Sequence, residues 1–361
     1  MSGTSLDGLD LCAARFRESG NRWHYEVLAA SCVPYSARWQ GELQAAFANT
    51  EGQLAPLHRR LGDYIGRAVV SFCAEHQLNP DLVASHGHTV HHRPERGYTL
   101  QIGDPARIAA LAGVTCVGDF RSLDVSLGGQ GAPLVPIADR LLFGAYAQCL
   151  NLGGIANVSF ERGGARVAAD LTVCNQLLNR IALGADHAYD AGGALAASGT
   201  VDVELARAFC GLPFHARPAP KSLGREWVDA RAWPLFEAIS ARPRDALATA
   251  SEGIAQVLAA ELASGPPGGI LVTGGGAYNT HLVERVGRLL PPGHGLCLPS
   301  GTLGPSAGEL TLVDVKEALA FALLGVLRLR GEVNALASVT GARRDSSGGL
   351  ICSAPNGTAG A

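Results

Sequence analysis

The sequence predicts an α/β protein of two domains, and three observations carry that prediction: the length, the composition, and repeated junctions of strand, glycine turn and helix. At roughly 150 residues per domain, 361 residues suit two separate cores. Hydrophobic residues make up 47% of the chain and charged residues only 17%, beside 46 glycines, so the pattern is that of a well-buried globular protein with turns at special backbone angles. A formal net charge of −3, with no basic run longer than pairs such as Arg59-Arg60 and Arg343-Arg344, excludes a nucleic-acid partner. The nine cysteines are odd in number and form no CxxC pair; they read as reduced residues of a cytoplasmic protein. Asp7 and Asp10 interrupt the opening stretch, so no secretory signal is expected. The longest apolar helix candidate, 318–327, is about half the ~20 residues of a membrane span, so no membrane partner is expected either.

In order along the chain, the opening turn feeds strands at 9–16 and 25–33, as the start of a mixed sheet. Between 42 and 77 the apolar residues Leu43, Phe47, Leu54, Leu57, Leu61, Ile65, Val69 and Phe72 recur at three- and four-residue steps, which is helical periodicity. Short strands at 82–85, 98–102 and 115–117 follow, with a helix at 105–112. A Gly/Pro-rich segment at 128–133 marks the border between domains, placed at 1–130 plus 340–361 and 131–339. Beyond it come a strand at 148–152, a Gly-Gly turn, a return strand to Phe160, a strand ending at Asp170 and a helix. Residues 270–273 form a buried strand, 274–276 a turn, and Leu282, Val283, Val286, Leu289 and Leu290 one helical face. The small, polar stretch 346–361 is expected to fray.

Several motifs can carry chemistry. Gly3, Thr4, Ser5, Leu6, Asp7, Gly8, Leu9 and Asp10 combine small residues, hydroxyls and carboxylates. Backbone N–H groups of such a turn can approach phosphate oxygens, and Asp10 can hold Mg2+ through water; an ordinary hairpin turn reads the same way. Asn151, Gly153 and Gly154 form a second turn of this kind, and Gly274, Gly275, Gly276 and Asn279 a third, before a helix whose orphan N–H groups suit an anion. Each is also readable as a capping or hairpin glycine. Neither a P-loop nor a GxGxxG fingerprint is complete.

Asp170, at the end of an apolar strand, is placed as α/β folds place reactive carboxylates, or else as a helix N-cap. His86, His88, His91 and His92 lack the partners of a zinc site and read better as a sugar-contacting loop, with His86 and Thr89 in contact. Asp119, Arg121 and Asp124, followed by GGQGAP with Gln130, bring charge and flexible backbone to a border that suits a polar substrate, or a solvated loop. Residues 218–226 are a similar case. Glu317 opens the last strong helix, where an acid also complements the macrodipole.

Taken together, MSGTSLDGLD, SHGHTVHHRP, TLQIGDPA, DFRSLDVSLGGQGAPLVP, NLGGIAN, KSLGRE, TGGGAYN, KEALAFALL and VTGAR resemble, in this order from residue 1 to about 342, the anhydro-N-acetylmuramic acid kinases of the sugar kinase, actin and Hsp70 ATPase superfamily. The resemblance implies a two-lobed actin-like ATPase (ribonuclease H-like) fold with an interdomain cleft. It also implies ATP- and Mg2+-dependent conversion of an anhydro amino sugar to N-acetylmuramic acid 6-phosphate in cell-wall recycling, and it allows a homodimer. By it, residues 3–10 and the turn at 151–154 bind ATP phosphates, Gly274 to Gly276 lie near the adenosine, Asp170 is the catalytic base, and Glu317 assists at the sugar. A kinase for another anhydrosugar such as levoglucosan, or a binding protein without catalysis, are the alternatives.

Three differences from the family pattern set further expectations. The family's TGPxN after the aspartate is Leu171-Thr172-Val173-Cys174-Asn175 here, which should alter the turn behind the base. SHGQT reads SHGHT, with His88 for glutamine, which should change sugar preference. The family's first strand precedes the GTS turn, so that strand is expected to be missing or the start misassigned.

Overall fold

Strand β1, Gly8–Ser19, pairs antiparallel with β2, Arg22–Pro34, in the computed structural model, which describes residues 1–3, 6–20, 22–219, 221–299, 303 and 310–354. The periodic stretch that follows is two helices, α1 (Ala37–Ala46) and α2 (Glu51–Glu75). The Gln53 side chain accepts from the Thr50 amide at 2.8 Å and restarts the helix after a four-residue break. On α2, Leu54, Leu57, Leu61, Ile65, Val69 and Phe72 line one buried face against Leu9 and Leu11 of β1.

Next, β3 (Val83–Ala84) runs parallel to β6 (Cys116–Gly118), while β4 (His88–Arg93) pairs with β5 (Tyr98–Ile102). The sequence reading had no strand at β4. Its inward positions are held by His88 and Val90, and a histidine at an apolar position hides the two-residue alternation. Between them, α3 (Pro105–Ala112) starts where Asp104 accepts from the Ala106 amide at 2.9 Å. Short helices α4 (Ser122–Ser126) and α5 (Pro136–Leu142) complete this part.

The middle of the chain builds a five-stranded sheet. Strands β7 (Gln148–Leu152), β8 (Ile155–Arg162) and β9 (Ala165–Val173) form an antiparallel meander; α6 (Asn175–Ala182), α7 (Ala194–Ala197), α8 (Val203–Cys210), α9 (Arg225–Trp227), α10 (Trp233–Glu237) and α11 (Pro243–Ala263) follow. Then β10 (Gly268–Thr273) inserts parallel to β7, and α12 (Thr280–Leu289) leads to β11 (His294–Cys297), giving the order β11-β10-β7-β8-β9. Long, alanine-rich α11 packs against β9, α6, α7, α8 and α12, its small side chains allowing close approach on most sides.

The last stretch returns to the first: α13 (Leu312–Leu329) packs on β1 and β3, α14 (Ala337–Thr340) follows, and β12 (Leu350–Cys352) pairs with β6. Two units result, Met1–Leu142 with Gly301–Ala361, and Phe143–Ser300. The borders thus move from the expected 130/131 and 339/340, because α5 packs on β2 and α13 on β1. The expected fraying from residue 346 gives way to β12; residues 355–361 lie outside the described ones. All nine cysteines are free thiols. Among the described residues, no helix is long and apolar enough to cross a membrane.

Candidate active site

Strand β9 runs three residues past Asp170, so the aspartate lies within a strand rather than at its end, opposite Asn157 of β8 beside a register shift. It caps no helix, since Cys174 precedes α6. Its Oδ2 accepts from the Leu223 amide at 2.8 Å and from the Ser222 hydroxyl at 3.1 Å, and its own amide donates to the Lys221 carbonyl at 2.9 Å. Burial raises its pKa above the ordinary carboxylate value, and the two donors pull it partly back. The carboxyl therefore has a higher proton affinity than a solvated aspartate. Residues 221–223, read from the sequence as a polar border segment, are its support. Backbone donors carry no residue-type signature.

Parallel pairing of β7 with β10 sets Asn151 beside Thr273, which brings the two glycine turns together. At Gly274, where φ is +82°, a Cβ would stand 2.5 Å from Asn151 Oδ1 and 2.9 Å from the Leu152 carbonyl oxygen; at Gly276 it would stand 2.8 Å from Leu152 Cβ. Both glycines are required by this contact. Gly275, in contrast, is exposed, and the nearest atom to a Cβ there is Asn175 Nδ2 at 3.8 Å. A Cβ at Gly154 would meet Gln176 Cγ at 2.9 Å. The altered segment after Asp170 keeps the turns bound: the Asn175 amide donates to the Gly153 carbonyl at 3.1 Å, and Asn175 Nδ2 to the Leu152 carbonyl at 3.1 Å. Asn279, expected to touch the cofactor, caps α12 by accepting from the Leu282 amide at 3.0 Å.

In the other unit, Glu317 falls in the second turn of α13, not at its start, so complementing the macrodipole does not account for it. Solvent reaches its side chain, yet protein atoms crowd it and raise its pKa, against the lowering effect of Arg121. Arg121 donates from Nε to His86 Nε2 at 3.0 Å and from Nη1 to the Gly131 carbonyl at 2.7 Å. A guanidinium only donates, so His86 Nε2 must be bare and Nδ1 protonated, donating to the Gly87 carbonyl at 3.1 Å. Burial, then Arg121, hold the His86 pKa well below its ordinary value, which keeps the ring neutral. Both ring nitrogens are engaged by protein groups, and His86 stands behind Arg121 rather than in an open loop.

Asp124 fixes the glycine loop beside Arg121. Its Oδ2 accepts from the Gly131 amide at 2.8 Å and its Oδ1 from the Thr340 hydroxyl at 2.7 Å. Gln130 is exposed, and its amide donates to the Thr340 carbonyl at 2.8 Å. Asp119 accepts from the Ser122 hydroxyl at 2.7 Å and its amide at 3.2 Å, capping the turn into α4. Thr89 sits half-buried in β4, paired with Gln101. His88 is fully buried, 3.2 Å from the Ser2 hydroxyl, and belongs to the core rather than to a sugar loop. His91 and His92 bond to the Asn49 carbonyl and the Thr99 hydroxyl.

Of the N-terminal turn, Thr4 and Ser5 lie outside the described residues. The Leu6 amide is 3.5 Å from the Gly3 carbonyl, and the Asp7 carbonyl accepts from the Tyr35 amide at 3.1 Å. Gly8 is demanded by the hairpin, since a Cβ would stand 2.7 Å from the Val33 carbonyl oxygen, and Leu9 is core. Burial raises the pKa of Asp10, the Cys32 thiol that bonds to it and the Met1 ammonium lower it, and the carboxylates of Asp7 and Asp314 raise it. Among the described residues no three acidic, histidine or cysteine side chains form a metal cage. Asp10 would serve Mg2+ as a single carboxylate, with the ion held otherwise by phosphates and water.

An α/β protein with one carboxyl braced by neutral donors and another beside a guanidinium has the groups of an enzyme that moves protons on a polar substrate. Residues 1–354 match the family model described as anhydro-N-acetylmuramic acid kinase. The anhydro-N-acetylmuramic acid kinase of Gloeobacter violaceus is 38% identical over 372 residues and that of Pseudomonas putida 37% over 361, each comparison covering 95% of both chains. The enzyme of that name from Rhodococcus erythropolis is 36% identical, covering 96% of this chain and 91% of its own. The chain belongs to the anhydro-N-acetylmuramic acid kinase family, and it is a phosphotransferase.

Proposed function

We propose that the protein converts 1,6-anhydro-N-acetylmuramic acid, water and ATP to N-acetylmuramic acid 6-phosphate and ADP, a step of peptidoglycan recycling. The observation that carries this reading is the Asp170 carboxyl, held at one oxygen by two neutral donors and raised in proton affinity by burial. It accepts a proton as water attacks the anomeric carbon; the bond from that carbon to O6 breaks, and O6 takes the γ-phosphoryl group while ADP leaves. The proton then passes from Asp170 to solvent. Arg121 and Glu317 bind and orient the polar sugar. Backbone amides of the turns at 3–10 and 151–154 receive phosphate oxygens, and exposed Gly275 leaves room beside the adenosine. Asp10 would hold Mg2+ through water, and the ion would offset charge on the phosphoryl oxygens. We read the two units as the lobes of an actin-like ATPase. His88 lies in the core, so it gives no ground for a different sugar.

The test is ADP release in 18O-water with the product identified by mass. The reading expects ADP only when Mg-ATP and the muramic sugar are both present, and 18O at the anomeric carbon of a 6-phosphate. ADP with levoglucosan and none with the muramic sugar would move the assignment to another anhydrosugar. ATP binding without turnover of either would leave a binding protein.

A further inference from the structure

Lys221 is a lysine almost without solvent, its side chain 3% exposed. Burying an ammonium is costly unless it is paired and hydrogen-bonded, so the fold must gain something from its position. Its Nζ meets Glu261 Oε1 at 2.5 Å and the His215 carbonyl at 3.2 Å, and lies 5.1 Å from the centre of the Phe214 ring. Glu261 belongs to the last turn of α11, the helix on which much of this unit packs.

What this anchored residue does next is contact Asp170, and so do the two residues after it. The Lys221 carbonyl accepts from the Asp170 amide, the Ser222 hydroxyl donates to Oδ2, and the Leu223 amide donates to the same oxygen. Three consecutive residues thus grip one aspartate, and the first of them is fastened to α11. A second fastening lies alongside. Thr172, which pairs with Ala156 on the far side of the register shift, has its hydroxyl 3.1 Å from His215 Nε2, while His215 Nδ1 donates to the Cys210 carbonyl at 3.3 Å. His215 is the residue whose carbonyl receives Lys221. Among the described residues, Oδ1 of Asp170 has no hydrogen-bond donor, so the grip on Oδ2 selects which oxygen is left to take a proton.

We propose that Lys221 and Glu261 are positioning residues for Asp170: their ion pair fixes residues 221–223, which in turn fix the carboxyl against β9. The inference rests on Asp170 being the base. Neither residue touches a reacting atom; both act through Ser222 and Leu223. Displacement of such a support by a fraction of an ångström is enough to slow a proton transfer severely. Among the described residues, the acidity of Asp170 is set by burial, the Leu223 amide and the Ser222 hydroxyl, so Lys221 and Glu261 act on it through position and not through charge.

The experiment compares Glu261→Gln, the double variant Lys221→Met/Glu261→Leu, and Asp170→Asn in the full chain, by kcat, KM for ATP and for the sugar, the pH profile of kcat, and thermal midpoint. Glu261→Gln is expected to lower kcat about 10- to 100-fold with KM for ATP unchanged. Its acid limb should move to higher pH, because weakened donors no longer lower the carboxyl's pKa. The apolar double variant fills the same space and should fold, since replacing a buried ion pair by apolar groups is often neutral for stability, yet its kcat should stay low. A double variant with the kcat of the wild type would show that the pair only fills space and would overturn the proposal. An inactive Asp170→Asn beside an undiminished Glu261→Gln overturns the positioning alone, whereas a fully active Asp170→Asn overturns the base itself.

Discussion

Asp170 and Glu317 are both carboxyls whose pKa burial raises, but one is surrounded by neutral donors and the other by a cation. An amide and a hydroxyl hold Asp170 without fixing its charge. Arg121 opposes the burial of Glu317, and Glu317 in return opposes the burial of Arg121. The difference teaches which group suits a base: the acidity of Asp170 is set by burial and neutral donors alone, while that of Glu317 is tied to a guanidinium that opposes its protonation without overcoming burial.

The sharpest way to break this contrast is to neutralise each acid in turn. Asp170→Asn should lower kcat by about 10²- to 10⁴-fold, the contribution of a general base, and Glu317→Gln by distinctly less, as measured by ADP release. Equal losses would erase the distinction. Next in size, Arg121→Met should raise the KM for the sugar about 10- to 100-fold by removing charged hydrogen bonds, and should push the Glu317 pKa further up, read by 13C-carboxyl NMR. An unmoved Glu317 would mean that the cation does not govern it.

A smaller effect tests the scaffold on the Asp170 side. Gly274→Ala should cost about 1–3 kcal/mol in urea unfolding, because its positive φ and its contact with Asn151 forbid a Cβ, whereas Gly275→Ala should stay within about 0.5 kcal/mol. The smallest expected effect is on stability against pH. A carboxyl raised in the folded state keeps its proton after the unfolded chain, with its pKa near 3.9, has lost it, so stability falls as pH rises through the window between the two values. Asp170→Asn should flatten that fall and raise the thermal midpoint at neutral pH by on the order of a degree or two.

Local patterns in the sequence were enough for β5, α3 and β7, whose bounds match the expected strands and helix residue for residue. The hidden strand β4 and the break between α1 and α2 were not legible, since His88 stands at an apolar position and Phe47 continues the helical period across the break. In the candidate site, glycine clusters and acids stood out by residue type. Their supports did not: Ser222 and Leu223 reach Asp170 across more than fifty positions, and Lys221 reaches Glu261 across forty. Distance along the chain, not weak chemistry, conceals them. Asn175 could have been suspected, because it alone survives from the family pattern after the aspartate.

The bond from Thr340 to Asp124 joins groups 216 residues apart, and the same carboxylate holds the loop whose carbonyl steadies Arg121. A nascent chain still short of Thr340 already contains both acids and the three glycine turns of the candidate site, yet it lacks the hydroxyl that braces Asp124. A protease that removes the chain from residue 340 onward therefore takes away the brace of the loop behind Arg121 and keeps in the chain every residue that holds Asp170.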